Sequence, residues 1–158
     1  MTLATNTSKD VFSSNGHDEL HGSGTIGLIA IDGWSEIAAT GMRAWTNDED
    51  AQRASVTFQG ALASASDVGK YIDLYLRPIN VINSTDDDQP PNDEFKHIHV
   101  GSFPMDQDTA QQSTIDIILP NFKTSSEYEP FINNKSGQEL SAGWECWIAP
   151  KGTGPVPA

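Results

Sequence analysis

Two histidines that flank a single residue are the side chains best suited to metal chemistry. If His97-Ile98-His99 forms a strand, both imidazoles project to the same side and could chelate a divalent ion. No third ligand is identifiable in the sequence, so we expect His97 and His99 to be surface or interface residues, and we predict no metal and no cofactor. His17 and His21 also flank a glutamate, but its position differs from that in the helical H-E-x-x-H motif, and glycines flank the segment.

The single cysteine and one glycine-rich segment are the other candidates for chemistry. Cys146 lies between Trp144 and Trp147 without an adjacent base, and such a strand cysteine is usually a small core hydrophobe. The segment 22–27 matches G-x-G-x-x-G, but it precedes a predicted strand and opens no helix, unlike a phosphate-binding loop. We therefore predict no catalytic residues and no enzymatic activity. A glycosidase stays open as an alternative, because acidic residues are abundant and a sequence does not show the separation of two carboxylates.

The net charge and the hydropathy pattern narrow the choice of partners. The chain has 158 residues, with 22 Asp and Glu against 9 Lys and Arg, and its formal net charge of −13 repels nucleic-acid phosphates. We predict no nucleic-acid partner. The longest apolar stretch, residues 27–31, is far too short to cross a bilayer, and no charged segment followed by an apolar run indicates a signal peptide. We therefore predict no membrane association.

Alternating apolar residues predict strands through most of the chain. In the clearest run, residues 71–77, every second side chain is Ile or Leu and faces a core, whereas Tyr71 and Tyr75 face water or a partner. An Asp32-Gly33 turn and a loop at residues 133–137 punctuate the pattern. The strands are predicted at 25–31, 54–62, 71–77, 97–103, 113–119, 128–132 and 139–149. The pattern indicates an all-β fold, an antiparallel β-sandwich of jelly-roll or Ig-like topology, with helix or strand left open for residues 34–53.

The same pattern divides the chain into three parts. Residues 1–24 are polar and form an extended N-terminal arm, residues 25–150 form the β-sandwich domain, and residues 151–158 form an irregular tail. We expect the arm to contact a neighbouring subunit, since a polar segment with sparse apolar residues orders only on contact. The residues expected in protein interfaces are Leu3, Val11, Phe12, Trp34, Trp45, Tyr71 and Tyr75.

The segment from Tyr71 onward resembles small β-sandwich structural proteins of tailed bacteriophage virions. The resemblance rests on YIDLYLRPI at 71–79, HIHVGSFPM at 97–105, STIDIILPNFKTSSEYEPFINN at 113–134 and SGQELSAGWECWIAP at 136–150. It covers roughly the C-terminal half and includes no catalytic residues. It implies a virion location, synthesis in the host bacterial cytoplasm, and other virion proteins as partners, either the major capsid protein or tail proteins.

Within that resemblance, a capsid decoration or cement protein that stabilises the shell is the first hypothesis. A tail- or fibre-associated structural protein is the alternative, and a homo-oligomer is expected, with a trimer suggested by the symmetry of capsid positions. A carbohydrate-binding module is the alternative from another class, because a sandwich with exposed tryptophans can bind glycans.

Overall fold

The structure is a computed structural model, and it describes residues 9–12, 18–21, 27–35, 42, 44–48, 50–67, 69–79, 98–120 and 126–154. These residues form an all-β fold without a helix, so none of them belongs to a helix that could cross a membrane. The strands are β1 (Lys9–Phe12), β2 (Asp18–Glu19), β3 (Trp45–Asn47), β4 (Arg53–Gly60), β5 (Tyr71–Pro78), β6 (Ile98–Pro104), β7 (Gln111–Ile118), β8 (Ser126–Lys135) and β9 (Glu145–Gly154).

Two antiparallel sheets pack against each other, which confirms the predicted β-sandwich. The first sheet has the order β1-β9-β4-β7, with β2 also paired to β9, and the second has the order β3-β8-β5-β6. Strands from the two halves of the chain pair in nested fashion: β1 and β2 with β9, β3 with β8, β4 with β7, and β5 with β6. A long hairpin rolled into two sheets has this connectivity, so the topology is that of a jelly roll and not Ig-like.

The core follows from period-two alternation. Along β4, Ala54, Val56 and Phe58 point inward and are buried, whereas the polar residues between them face outward. The ring of Phe58 stacks on Phe103 of the second sheet with 5.3 Å between centroids, and on Trp144 with 5.9 Å. Such offset stacking joins the two sheets at the centre of the sandwich.

The outer face of β5 differs from the sequence-based expectation because it is not open to solvent. Asp73, Tyr75 and Arg77 all point away from the core, yet each is buried. Part of the cover is Trp34, whose ring centroid lies 5.0 Å from that of Tyr75. The segment that contains Trp34 bridges to Asn133 and so lies beside β8, and its indole reaches Tyr75 across the outer face of the sheet.

Several predicted boundaries differ from those of the structure. Residues 27–31 of the predicted strand 25–31 form no strand, because their only ladder contact is an isolated bridge between Ile29 and Leu140. Residues of the predicted arm are strands β1 and β2, both paired with β9 of the same chain, and Leu20 is fully buried in the core. Strand β9 continues through Pro150 to Gly154, so residues 151–154, which were predicted to belong to an irregular tail, are part of a strand. Pro150 lies between the part of β9 that pairs with β2 and the part that pairs with β1.

Candidate functional site

A cluster of three polar side chains on the second sheet has the residue types of a catalytic triad. Strands β5 and β6 hold Asp73 opposite Ser102, and His99 lies nearby on β6. His99 Nε2 lies 3.1 Å from Asp73 Oδ1 and 3.2 Å from Ser102 Oγ, while the Ser102 hydroxyl donates to Asp73 Oδ1 at 2.5 Å. The side chain of His99 is half exposed, and its ring packs edge-on against Tyr75.

The geometry of this cluster does not support nucleophilic catalysis. A triad needs one imidazole nitrogen for the serine and the other for the aspartate, so that the histidine can accept the serine proton. Here Asp73 and Ser102 both approach Nε2 of His99, and the Ser102 proton is already donated to Asp73. The cluster therefore ties β5 to β6 and does not activate Ser102.

The predicted metal candidates are only partly placed. His97 lies outside the described residues, so its approach to His99 is untested. Within the described ranges, no group of three or more His, Cys, Asp or Glu side chains is arranged to hold a metal ion.

Cys146 lies in the sandwich core on β9. It is fully buried, and burial raises the pKa of its thiol well above the ordinary value. Its backbone N–H donates to Nδ1 of the buried His21 at 3.0 Å. A thiol that stays protonated and out of contact with solvent is a packing residue, not a nucleophile.

Two exposed apolar side chains, Leu28 and Ile31, form a surface that we call the Leu28–Ile31 patch. Leu28 is 55% exposed and Ile31 is 53% exposed. Leu28 precedes the turn Ala30–Gly33 and Ile31 lies within it; Asp32 of this turn has a φ of 57°, and the Gly33 N–H closes the turn on the Ala30 carbonyl at 2.9 Å. Leu28, but not Ile31, lines an open cavity of about 290 Å³, which is formed by residues 27–30, 33–35 and Trp144.

The patch is held in place by buried hydrogen bonds from β8. The side-chain amide of Asn134, itself fully buried, donates to the carbonyls of Ile29 at 3.0 Å and Ala30 at 3.2 Å. Backbone bonds join Asp32 N–H to the Asn134 carbonyl and Asn134 N–H to the Gly33 carbonyl, each at 2.9 Å. A loop with this many anchors presents Leu28 and Ile31 on a fixed backbone.

The seven predicted interface residues divide into different environments. Trp34 is half-buried and Tyr71 is 41% exposed, so both side chains keep solvent-exposed surface that a partner can contact. Trp45 and Tyr75 are each 6% exposed, and the expectation that they face a partner is corrected: Trp45 stacks on Tyr128, and Tyr75 lies under Trp34. The other three are less defined: Val11 and Phe12 lie in β1, opposite Gly152 and Lys151 of β9, and Leu3 lies outside the described residues.

A second surface feature lies on the outer face of the first sheet. Trp147 of β9 is half-buried, and His21 packs edge-on against its indole with 5.5 Å between ring centroids. A shallow groove of about 400 Å³ beside it is lined by Glu19, Thr57, Gln59, Gln112 and Trp147, and we call it the Trp147 groove. Trp144, three residues earlier, is instead buried in the core.

Sequence reasoning missed Leu28, Ile31, Asn134 and the groove. The first two were assigned to the predicted strand 25–31, and Asn134 was assigned to the loop at 133–137 on the basis of its local preference. The groove combines residues from four strands, so only the pairing of those strands brings them together. No protein-family model matches the chain, and no curated protein matches its sequence.

Proposed function

We propose that this chain is a non-enzymatic structural protein of a tailed-phage virion, and specifically a capsid decoration or cement protein. Jelly-roll topology supports the proposal, because viral capsid and lectin domains use this architecture. A fold alone does not specify a function, so support for a specific function must come from the exposed residues. The buried thiol of Cys146 and the shared Nε2 contacts of His99 favour a structural role over catalysis.

The Leu28–Ile31 patch carries the proposal. Two aliphatic side chains, each more than half exposed, lie on one loop, and one of them, Leu28, lines a cavity that includes Trp34 and Trp144. Burial of aliphatic surface contributes roughly 25 cal/mol per Å², and a cavity next to it can accept a protruding side chain from a partner. A surface of this kind, on a loop fixed by Asn134, fits docking onto a larger protein assembly.

Stabilisation of a shell follows from where the protein binds. A ligand that binds only the assembled state stabilises that state, by about 2.7 kcal/mol per site when its free concentration is 100 times Kd. The net charge of −13 keeps free copies apart in solution through mutual repulsion. The protein therefore accumulates unassembled and adds to the particle through the apolar patch.

Rebinding to particles that lack the protein tests this function. Phage particles made without the gene for this chain are mixed with purified protein, and bound protein is measured after sedimentation. We expect saturable binding with a fixed number of copies per particle. The double variant Leu28→Ser/Ile31→Ser should bind at least tenfold more weakly.

Ile118→Ser is the matched control. Ile118 is 77% exposed and pairs with Arg53, the first residue of β4. The patch lies toward the other end of β4, because its loop bridges to Leu140, and Leu140 bridges to Leu62 just beyond that end. Binding of this variant should equal that of the wild type. Absence of wild-type binding, or equal binding by the patch variant, contradicts the proposal. Binding confined to tails would support the tail-associated alternative and reject capsid decoration.

A further inference from the structure

We propose that the Trp147 groove binds neutral glycans, with one sugar ring on the indole and its hydroxyls on the neighbouring amides. This inference is independent of the virion proposal, because it concerns the outer face of the first sheet and not the Leu28–Ile31 patch. Trp147 pairs with Glu19 on one side and with Thr57 on the other, and Gln59 pairs with Gln112 in the next outward-facing row.

The dimensions of the groove suit a short oligosaccharide. Neighbouring strands lie about 4.8 Å apart, and residues of the same strand that share a face lie about 6.8 Å apart. The diagonal across the sheet from Trp147, past Thr57, to Gln112 therefore has the length of one to two sugar rings. The volume of about 400 Å³ and the open shape of the groove fit a ligand that enters from the side.

The side chains have the chemistry that sugars require. An indole provides a flat apolar surface for the C–H face of a pyranose, and its edge contact with His21 limits its rotation. Each glutamine amide offers two N–H donors and a carbonyl acceptor, which matches adjacent hydroxyls on a ring. Gln112 is exposed and Gln59 is half-buried, so both amides are accessible from the groove. A protein hot spot differs from this, since it typically fills a deep, desolvated apolar pocket.

Charge restricts the class of glycan. Glu19 lines the groove, and Glu145 lies opposite Gln59 on the adjacent strand. Together with the net charge of −13, these carboxylates repel uronate, sialate and phosphorylated sugars. The ligands that remain are neutral hexoses and N-acetylhexosamines.

Titration of the purified chain with defined oligosaccharides tests the proposal. The probes are hexasaccharides of glucose, mannose, galactose and N-acetylglucosamine, with hexagalacturonate as the acidic counterpart, and binding is followed by tryptophan fluorescence and calorimetry. We expect saturable binding of at least one neutral probe and none of hexagalacturonate. No saturable binding of any neutral probe at millimolar concentration would overturn the proposal, as would tighter binding of the acidic probe.

Variants locate the site. Trp147→Ala should weaken binding at least tenfold, and Gln59→Ala/Gln112→Ala should do the same while leaving the indole in place. Tyr71→Ala is the control, since Tyr71 is an exposed aromatic residue on the other sheet. If Trp147→Ala does not fold, the glutamine double variant still tests whether the groove binds the glycan. Wild-type affinity in the glutamine variant contradicts the assignment of the groove.

Discussion

The side-chain amide of Asn134 donates a hydrogen bond to the carbonyl of Ile29 at 3.0 Å, across 105 residues of sequence. The same nitrogen also donates to Ala30 and Gln138, and the Oδ1 atom accepts hydrogen bonds from Ser136. One buried residue of β8 therefore fixes both the loop that carries the Leu28–Ile31 patch and the connection toward β9.

Removal of this amide should loosen the patch. Asn134→Ala removes the side-chain hydrogen bonds to the carbonyls of Ile29 and Ala30 and also removes the acceptor of the buried Ser136 N–H, so we expect the free energy of unfolding to fall by about 2–4 kcal/mol. Hydrogen exchange should accelerate at the Ile29 and Asp32 amides, which pair with Leu140 and Asn134 respectively. Gln112→Ala, at an exposed amide, is the control and should change stability by less than about 0.5 kcal/mol. Equal stability of the two variants would refute this role of Asn134.

The buried ion pair between Arg77 and Glu129 gives a second prediction. Each side chain is 8% exposed, and the Arg77 guanidinium also lies 5.6 Å from the ring centroid of Phe131. Glu129→Leu leaves a buried cation, so unfolding measured with denaturant should show a loss of about 3–5 kcal/mol. Arg77→Met/Glu129→Leu should recover most of that loss. A double variant no more stable than the single one would contradict this account.

Close packing of the two sheets at Gly101 gives a third prediction. A Cβ at this position would lie 2.3 Å from Cδ1 of Ile115, on β7 of the other sheet. Gly101→Ala should therefore destabilise the protein by about 1–3 kcal/mol through overpacking. Ile115→Val removes the Cδ1 methyl, so in the Gly101→Ala background it should restore stability. Strictly additive effects in this double-mutant cycle would show that the two residues do not compete for space.

The outer face of the first sheet gives a pH-dependent prediction. Hydrogen bonds from Lys151 and Ser55 lower the pKa of Asp116 below its ordinary value of 3.8. A lowered folded-state pKa means that the stability from Asp116 is complete above pH 3.8 and is lost as the pH falls through the folded-state pKa. Because Asp116 is half exposed, the contribution should be at most about 1 kcal/mol.

Comparison of Asp116→Asn with the wild type tests this sign. The difference in free energy of unfolding should be present at pH 6 and should shrink toward zero at pH 2. Added salt at pH 6 should also reduce it, because exposed charges are screened. A difference that grows on acidification would show that the pKa of Asp116 is raised in the folded state.

The sequence correctly predicted those strands in which apolar and polar residues alternate between the two faces of a sheet. Strands β4 to β7 lie within a few residues of their predicted bounds, because Ile, Leu, Val and Phe at every second position have one favourable face. These predictions need only local periodicity.

The remaining features depend on contacts between distant segments. Tyr75 occupies an outward position, but Trp34, from a segment 41 residues upstream, covers it. Asn134 has the local preference of a turn residue, yet partners more than 100 residues away make it a buried anchor in β8. The jelly-roll order of strands and both surface sites follow from such pairings, which no local pattern encodes.

The most direct test of the proposed function is the location of the protein in a purified particle. Under the proposed function a tailed phage encodes this chain, and purified particles of that phage would be imaged by cryo-electron microscopy. We expect a jelly-roll domain at symmetric positions on the outer capsid surface, with Leu28 and Ile31 facing the shell. Particles that are complete and infectious without any copy of this chain in the density would contradict it.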